Sequence, residues 1–120
     1  MTGRRARERL REMIKRELSA IVEFEARDPV IRDAFPTVMD IRLSDDARHA
    51  KVYVSFAAAQ PEREEVVSAF QRDRGFFRSE LAKRLMLRYT PELHFILDET
   101  VEWMLKIDRL LKDEDDEHQD

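Results

Sequence analysis

Asp73-Arg74-Gly75-Phe76-Phe77-Arg78 lies at the centre of a stretch, Glu62 to Leu97, that sets the architecture of the chain. Ahead of it, Pro61-Glu62-Arg63-Glu64-Glu65 opens a helical pattern, with proline in the first turn and acids at the positive end of the helix dipole. Val66, Ala69 and Phe70 line the apolar side of that helix. Beyond Gly75, Phe77, Leu81 and Leu85 recur at a spacing of four, which is one face of a second helix. Gly75 is one of only two glycines in the chain. Inside a helix it costs about 1 kcal/mol relative to alanine, so its position predicts a sharp interhelical kink at Asp73, Arg74 and Gly75. If that joint needs positive φ at the glycine, a β-branched replacement there is strained. Pro91 to Leu97 then alternates, Leu93, Phe95 and Leu97 on one side, as a strand does.

Upstream, Ala50 to Phe56 reads as another alternating strand. Val38 to Leu43 reads as a third, with Met39, Ile41 and Leu43 on one face. Ser44 to Arg48 has turn chemistry, so these two strands are expected to pair as an antiparallel hairpin. Leu10, Met13, Ile14, Leu18, Ile21 and Val22 follow the spacing of an amphipathic helix from about Arg4 to Phe24. Asp28-Pro29 ends it, because proline holds its predecessor in extended conformations, and Val30 to Pro36 is expected to be a loop. After the last strand, Asp98 can cap a helix through Leu111 that is apolar nearly all round, which asks for burial or a partner. The order is α-β-β-α-kink-α-β with an added C-terminal helix: an α+β chain in which helices cover a three-stranded sheet.

Charge divides the chain in two. Residues 113–120 hold six acids and no Lys or Arg, and setting them aside changes the net charge from −4 to +2 for residues 1–112. The expectation is one domain over 1–112 and an acidic disordered tail over 113–120, acting as a counter-charge. The first sixteen residues carry seven basic groups, among them Arg4, Arg5, Arg7 and Arg11, against Glu8 and Glu12. A second basic group, Arg72, Arg74, Arg78, Lys83, Arg84 and Arg88, surrounds the kink. Each set reads either as an ordinary solvated helix face or as a surface that contacts phosphate, for which guanidinium groups are well shaped. Phe76 and Phe77 add a stacking candidate, Phe76, beside a core residue, Phe77.

Enzymatic chemistry finds little support. The chain has no cysteine, so thiol catalysis and disulfides are excluded. His49, His94 and His118 match no recognised metal spacing, and no glycine-rich phosphate loop or nucleophile elbow occurs. We therefore expect no catalytic residue, no metal and no cofactor. No apolar run approaches the roughly 20 residues that span a bilayer, and no secretory signal is evident.

Strand, helix, kink, helix, strand resembles a type II KH-like core, whose modules hold single-stranded RNA. The usual Gly-x-x-Gly of that fold is missing. The words Arg48-His49-Ala50-Lys51-Val52-Tyr53-Val54-Ser55, Gly75 to Leu85 and Arg88 to Asp98 resemble the bacterial ribosome-binding factor A family, with order and spacing matching from about Arg7 to Leu111. That resemblance implies a cytoplasmic, monomeric, non-enzymatic assembly factor. Such a factor binds the maturing small ribosomal subunit and its 16S-type rRNA, supports rRNA processing, and leaves before translation. It also implies an Ala-x-Gly joint, which maps onto Asp73-Arg74-Gly75 with aspartate in place of alanine. An acid there repels phosphate, which moves the expected RNA contact to Arg4, Arg5, Arg7, Arg11, Arg74, Arg78, Lys83 and Arg84. The chain departs from the family in a longer Val30–Pro36 segment and in Trp103-Met104-Leu105, which predicts a continuous, buried C-terminal helix. A protein-only adaptor docking through that helix is the competing reading. Salt dependence separates the two, because phosphate contacts release counterions and apolar docking does not.

Overall fold

In the computed structural model, which describes residues 3–57, 62–99 and 107–112, seven elements follow in order. They are α1 (Arg4–Glu25), α2 (Pro29–Asp33), β1 (Thr37–Leu43), β2 (His49–Ser55), α3 (Glu62–Arg72), α4 (Arg74–Leu85) and β3 (Glu92–Leu97). The sheet order is β1-β2-β3, with β1 and β2 antiparallel and β2 and β3 parallel. A parallel pair needs a long crossover, and the α3–α4 unit supplies it. Ala50, Val52, Val54, Leu93 and Phe95 project from one sheet face into a single core with Ile14, Leu18, Ile21, Val66, Ala69, Phe70, Phe77 and Leu81. The other face carries Lys51 and His94, both exposed, and Tyr53, half-buried with the Arg42 guanidinium 5.4 Å from its ring centroid.

Four expectations are corrected. Gly75 does not have positive φ, and it lies within the first turn of α4. The break falls earlier, at Asp73 (φ −95°, ψ 8°). Asp73 N–H still donates to Ala69 O at 3.0 Å, and its own carbonyl accepts from Phe77 N–H at 3.1 Å. A glycine between two apolar faces marked the neighbourhood of the joint, but one residue in the bridge region of φ/ψ space suffices to turn the chain. Val30 to Pro36 is not all loop. Asp28 Oδ1 accepts from Val30 N–H at 2.9 Å and Pro29 occupies the first turn of α2, so the pair that ends one helix also begins the next.

Strand β1 differs in its inward face. Val38 pairs with Val54 and Asp40 with Tyr53, leaving Met39 as the extra residue of a bulge. The bulge puts Val38 and Ile41 inward and leaves Met39 and Leu43 half-buried. Finally, residues 107–112 are helical but exposed, with Leu110 at 59% and Leu111 at 54%. Apolar spacing reveals a sticky face, not what covers it, so burial at this part of the C-terminal helix is not found. Trp103 to Leu105 and the tail 113–120 lie outside the described residues.

Because Gly75 is helical and an added Cβ would meet nothing within 4 Å, it carries the entropic cost of glycine with no conformational need for it. Gly75→Ala should raise stability by about 0.5–1 kcal/mol, read as a higher midpoint in thermal unfolding. A lower midpoint would show a constraint on this residue that its helical backbone does not display.

Candidate nucleic-acid interface

Helix α4 divides its residues between three surroundings. Phe77 and Leu81 enter the core. Arg84 turns towards α1, where its guanidinium meets Glu17 at 3.2 Å and Glu25 at 2.7 Å. Gly75, Arg78, Ser79 and Ala82, spaced as one stripe, form the wall of a groove. The opposite wall comes from the first residues of β2 and β3 and from the segment between Leu85 and Glu92.

That segment is shaped locally. Met86 takes the left-handed conformation (φ 50°, ψ 41°) and closes α4 through its N–H on Ala82 O. Arg78 then donates from Nε and Nη2 to the carbonyl oxygen of Thr90, at 3.2 and 2.9 Å, and Pro91 is buried. Tyr89 remains 57% exposed. Its ring has the guanidinium carbons of Arg48 and Arg88 at 4.9 and 5.5 Å from the centroid, within reach of cation–π attraction.

The groove consists of two adjoining recesses that share Gly75, Arg78 and Glu92. The larger, about 570 Å³, also takes in Arg48, His49, Arg88 and Tyr89. The smaller, about 220 Å³, takes in Arg74, Leu93 and His94. Four arginines thus line the two recesses against one carboxylate, Glu92. Among the described residues Arg74 has no hydrogen-bond or ion-pair partner, and Arg78 spends part of its fork on Thr90. The bare Gly75 keeps the wall open at the first turn of α4. An extended strand with phosphates on the arginines and a base on Tyr89 matches this lining chemically.

The other expected residues are placed differently. Arg7 donates to the carbonyls of Leu43 and Ser44 at 3.2 and 3.1 Å and approaches Asp45 at 3.8 Å. Arg11 is held by Asp40 at 2.7 Å and Glu12 at 2.8 Å. Together with Arg4 these two line a separate recess between α1 and β1, where their contacts fasten the helix to the strand. Arg5 is exposed, and Lys83 pairs with Glu80 at 3.1 Å. The hydrogen bonds to Glu17 and then Glu25 raise the Arg84 pKa, so this residue serves as a fixed cation between α1 and α4. Asp73 makes no side-chain cap hydrogen bond.

Phe76 is half-buried against the edge of Phe77, with the Arg27 guanidinium 4.0 Å from its ring centroid, so a base would have to displace Arg27 to stack there. Tyr89 is the more accessible ring. Arg48, His49 and Glu92 did not stand out in sequence because strand pairing brings them beside α4, and Tyr89 because the turn after α4 carries it there. At the rim, the Ser44–Arg48 turn is held by Asp46, which accepts from Ser44 Oγ at 2.7 Å and Arg48 N–H at 3.1 Å. Those two bonds, the hydroxyl's first, lower the Asp46 pKa.

Known proteins are similar to this chain in sequence and in fold. A family model described as ribosome-binding factor A matches residues 6–111. A relative of that name from Caldanaerobacter subterraneus subsp. tengcongensis is 38% identical over 105 residues, which is 88% of this chain and 85% of the relative. The crystal structure of ribosome-binding factor A from Thermus thermophilus superposes with a TM-score of 0.65 at 28% identity, covering 75% of this chain and 92% of that one. A homology model of the Thermus thermophilus factor, as fitted into a cryo-EM map of a 30S–ribosome-binding factor A complex, gives 0.62 at 27% identity with the same coverage.

The two kinds of arginine should separate experimentally. Arg84→Met should lower the melting temperature only slightly, because the pairs with Glu17 and Glu25 are solvent-accessible. The same variant should leave the salt dependence of single-stranded RNA binding unchanged. Arg74→Ala should do the reverse, and paired melting curves and salt titrations check both.

Proposed function

The chain belongs to the ribosome-binding factor A family, and from that premise we propose that it is a non-enzymatic assembly factor of the small ribosomal subunit. It binds the maturing free subunit and its 16S-type rRNA as a monomer in the cytoplasm, supports late maturation and rRNA processing, and leaves before translation. The observation that carries this reading is the groove beside α4, where Arg48, Arg74, Arg78 and Arg88 surround an open strip of backbone at Gly75 with an exposed Tyr89. Phosphate contacts position an RNA strand, and an aromatic face accepts a base of any identity. Arg74 and Arg78 are the principal contacts. Arg4 and Arg5 are secondary ones at the exposed start of α1, while Arg7, Arg11 and Arg84 hold the fold. That a related factor has been fitted into a 30S complex supports the choice of partner.

The expected result is co-sedimentation with free small subunits and little on assembled ribosomes. On isolated single-stranded RNA, Arg74→Ala and Arg78→Ala should each reduce the slope of log affinity against log salt by about 0.7. Tyr89→Ala should cost about 1–3 kcal/mol of affinity, with the slope unchanged. Parent-like slopes in both arginine variants would remove the groove as the RNA surface and return the contact to α1. Binding of a protein partner with little salt dependence would favour the adaptor reading through exposed Ile107, Leu110 and Leu111.

A further inference from the structure

At the rim of the groove three side chains converge that the RNA reading leaves unused. His49 and Glu92 are direct partners in the parallel β2–β3 register, and His94 follows Glu92 by two residues on the same face. His49 Nδ1 lies 3.0 Å from His94 Nε2 and 3.6 Å from a Glu92 carboxylate oxygen. One ligand-type atom from each of the three falls within 4.8 Å of the other two. The Glu92 N–H donates to Arg48 O at 2.8 Å and fixes the start of β3 against β2, so the three side chains are presented by paired backbone rather than by a loop.

The geometry points to a divalent transition-metal site, of the zinc class, formed by His49, Glu92 and His94. Ligands about 2.0–2.1 Å from a tetrahedral zinc stand roughly 3.3–3.4 Å from one another. Two of the three separations, 3.0 and 3.6 Å, bracket that edge; the third lies within 4.8 Å, and rotations of the exposed side chains close the difference. Two imidazoles and one carboxylate are a donor set that leaves a fourth position open. In the metal-free pair one imidazole N–H points at the other ring. Binding requires lone pairs on both facing nitrogens, so each neutral ring carries its proton on the far nitrogen, His49 on Nε2 and His94 on Nδ1. Both rings are exposed, so those far nitrogens are open to solvent and need no protein acceptor.

The surroundings select among cations. Arg48 and Arg78 line the same recess as His49 and Glu92, and their charge opposes any cation held by electrostatics alone. Mg²⁺ and Ca²⁺, which want oxygen ligands, are therefore disfavoured. A metal with strong affinity for imidazole is retained, in the order Co²⁺ below Cu²⁺ above Zn²⁺ for a site of this type.

Titration calorimetry of the untagged full chain with zinc chloride, without RNA, tests this independently of the groove's assignment. The parent should show one saturable zinc per chain and no heat with Mg²⁺ or Ca²⁺. His49→Ala and His94→Ala should each weaken zinc by more than the roughly 10–100-fold that loss of an outer-shell partner costs. Glu92→Gln should weaken it less, since an amide oxygen is a poorer ligand. All three side chains are exposed, so melting curves of the apo variants should match the parent. His118→Ala, which removes the histidine of the acidic tail, should bind as the parent does. Cobalt should give visible absorption of tetrahedral intensity that His49→Ala and His94→Ala abolish. The inference is overturned if the parent shows no saturable zinc binding, or if His49→Ala and His94→Ala bind zinc like the parent. Loss of the event in His118→Ala alone would overturn it equally, by placing the metal on the tail.

Discussion

Three phenylalanine rings hold the groove's two walls to one another. Phe70 of α3 stacks on Phe95 of β3 at 4.8 Å, Phe77 of α4 sits 5.4 Å from Phe95, and Phe70 and Phe77 are 5.7 Å apart. Each pair adds roughly 0.5–1.5 kcal/mol beyond the area it buries, and truncating one such ring costs about 3–5 kcal/mol. Against a total of roughly 5–15 kcal/mol for a domain, the trio is decisive. It also fixes geometry. Only with both helices of the joint pinned to β3 does the stripe from Gly75 to Ala82 run beside the starts of β2 and β3, where the groove forms.

Arginine has two employments here, and partners distinguish them better than position does. Arg7, Arg11 and Arg84 each meet acceptors on another element and tie α1 to the sheet edge and to α4. Such exposed pairs add little stability individually, but they join α1 to β1 and to α4 at defined points. Arg74 and Arg88 have no carboxylate partner among the described residues, and Arg78 is committed to a backbone carbonyl that leaves its charge unneutralised. Charge that the fold does not cancel is what an anionic ligand can use. Glu92 is the exception within the groove, and the histidines beside it give that carboxylate a role other than repelling phosphate.

Much of the architecture was legible because it rests on short-range periodicity. The buried faces Ile14-Leu18-Ile21, Val66-Ala69-Phe70, Phe77-Leu81 and Leu93-Phe95 appear in the core as their spacing required. The failures share a cause. A bulge at Met39 breaks the alternation that was used to read β1. Asp28-Pro29 both stops and starts a helix. Gly75 was given a backbone role that Asp73 performs. In each case the conformation of one or two residues, and not the periodicity of the segment around them, decided where an element bends or begins.

Element order apart from α2, the one-sided core, the basic character of the joint and, through matching words, the family could all be read from the order of residues. Three-dimensional packing was needed to show which arginines remain available, that Tyr89 rather than Phe76 is the accessible ring, and that His49 and His94, 45 residues apart, touch. The difference traces to the parallel pairing of β2 with β3. Its register is set by the α3–α4 crossover folding back onto the sheet, and the side chains it brings together carry no trace of one another in local spacing.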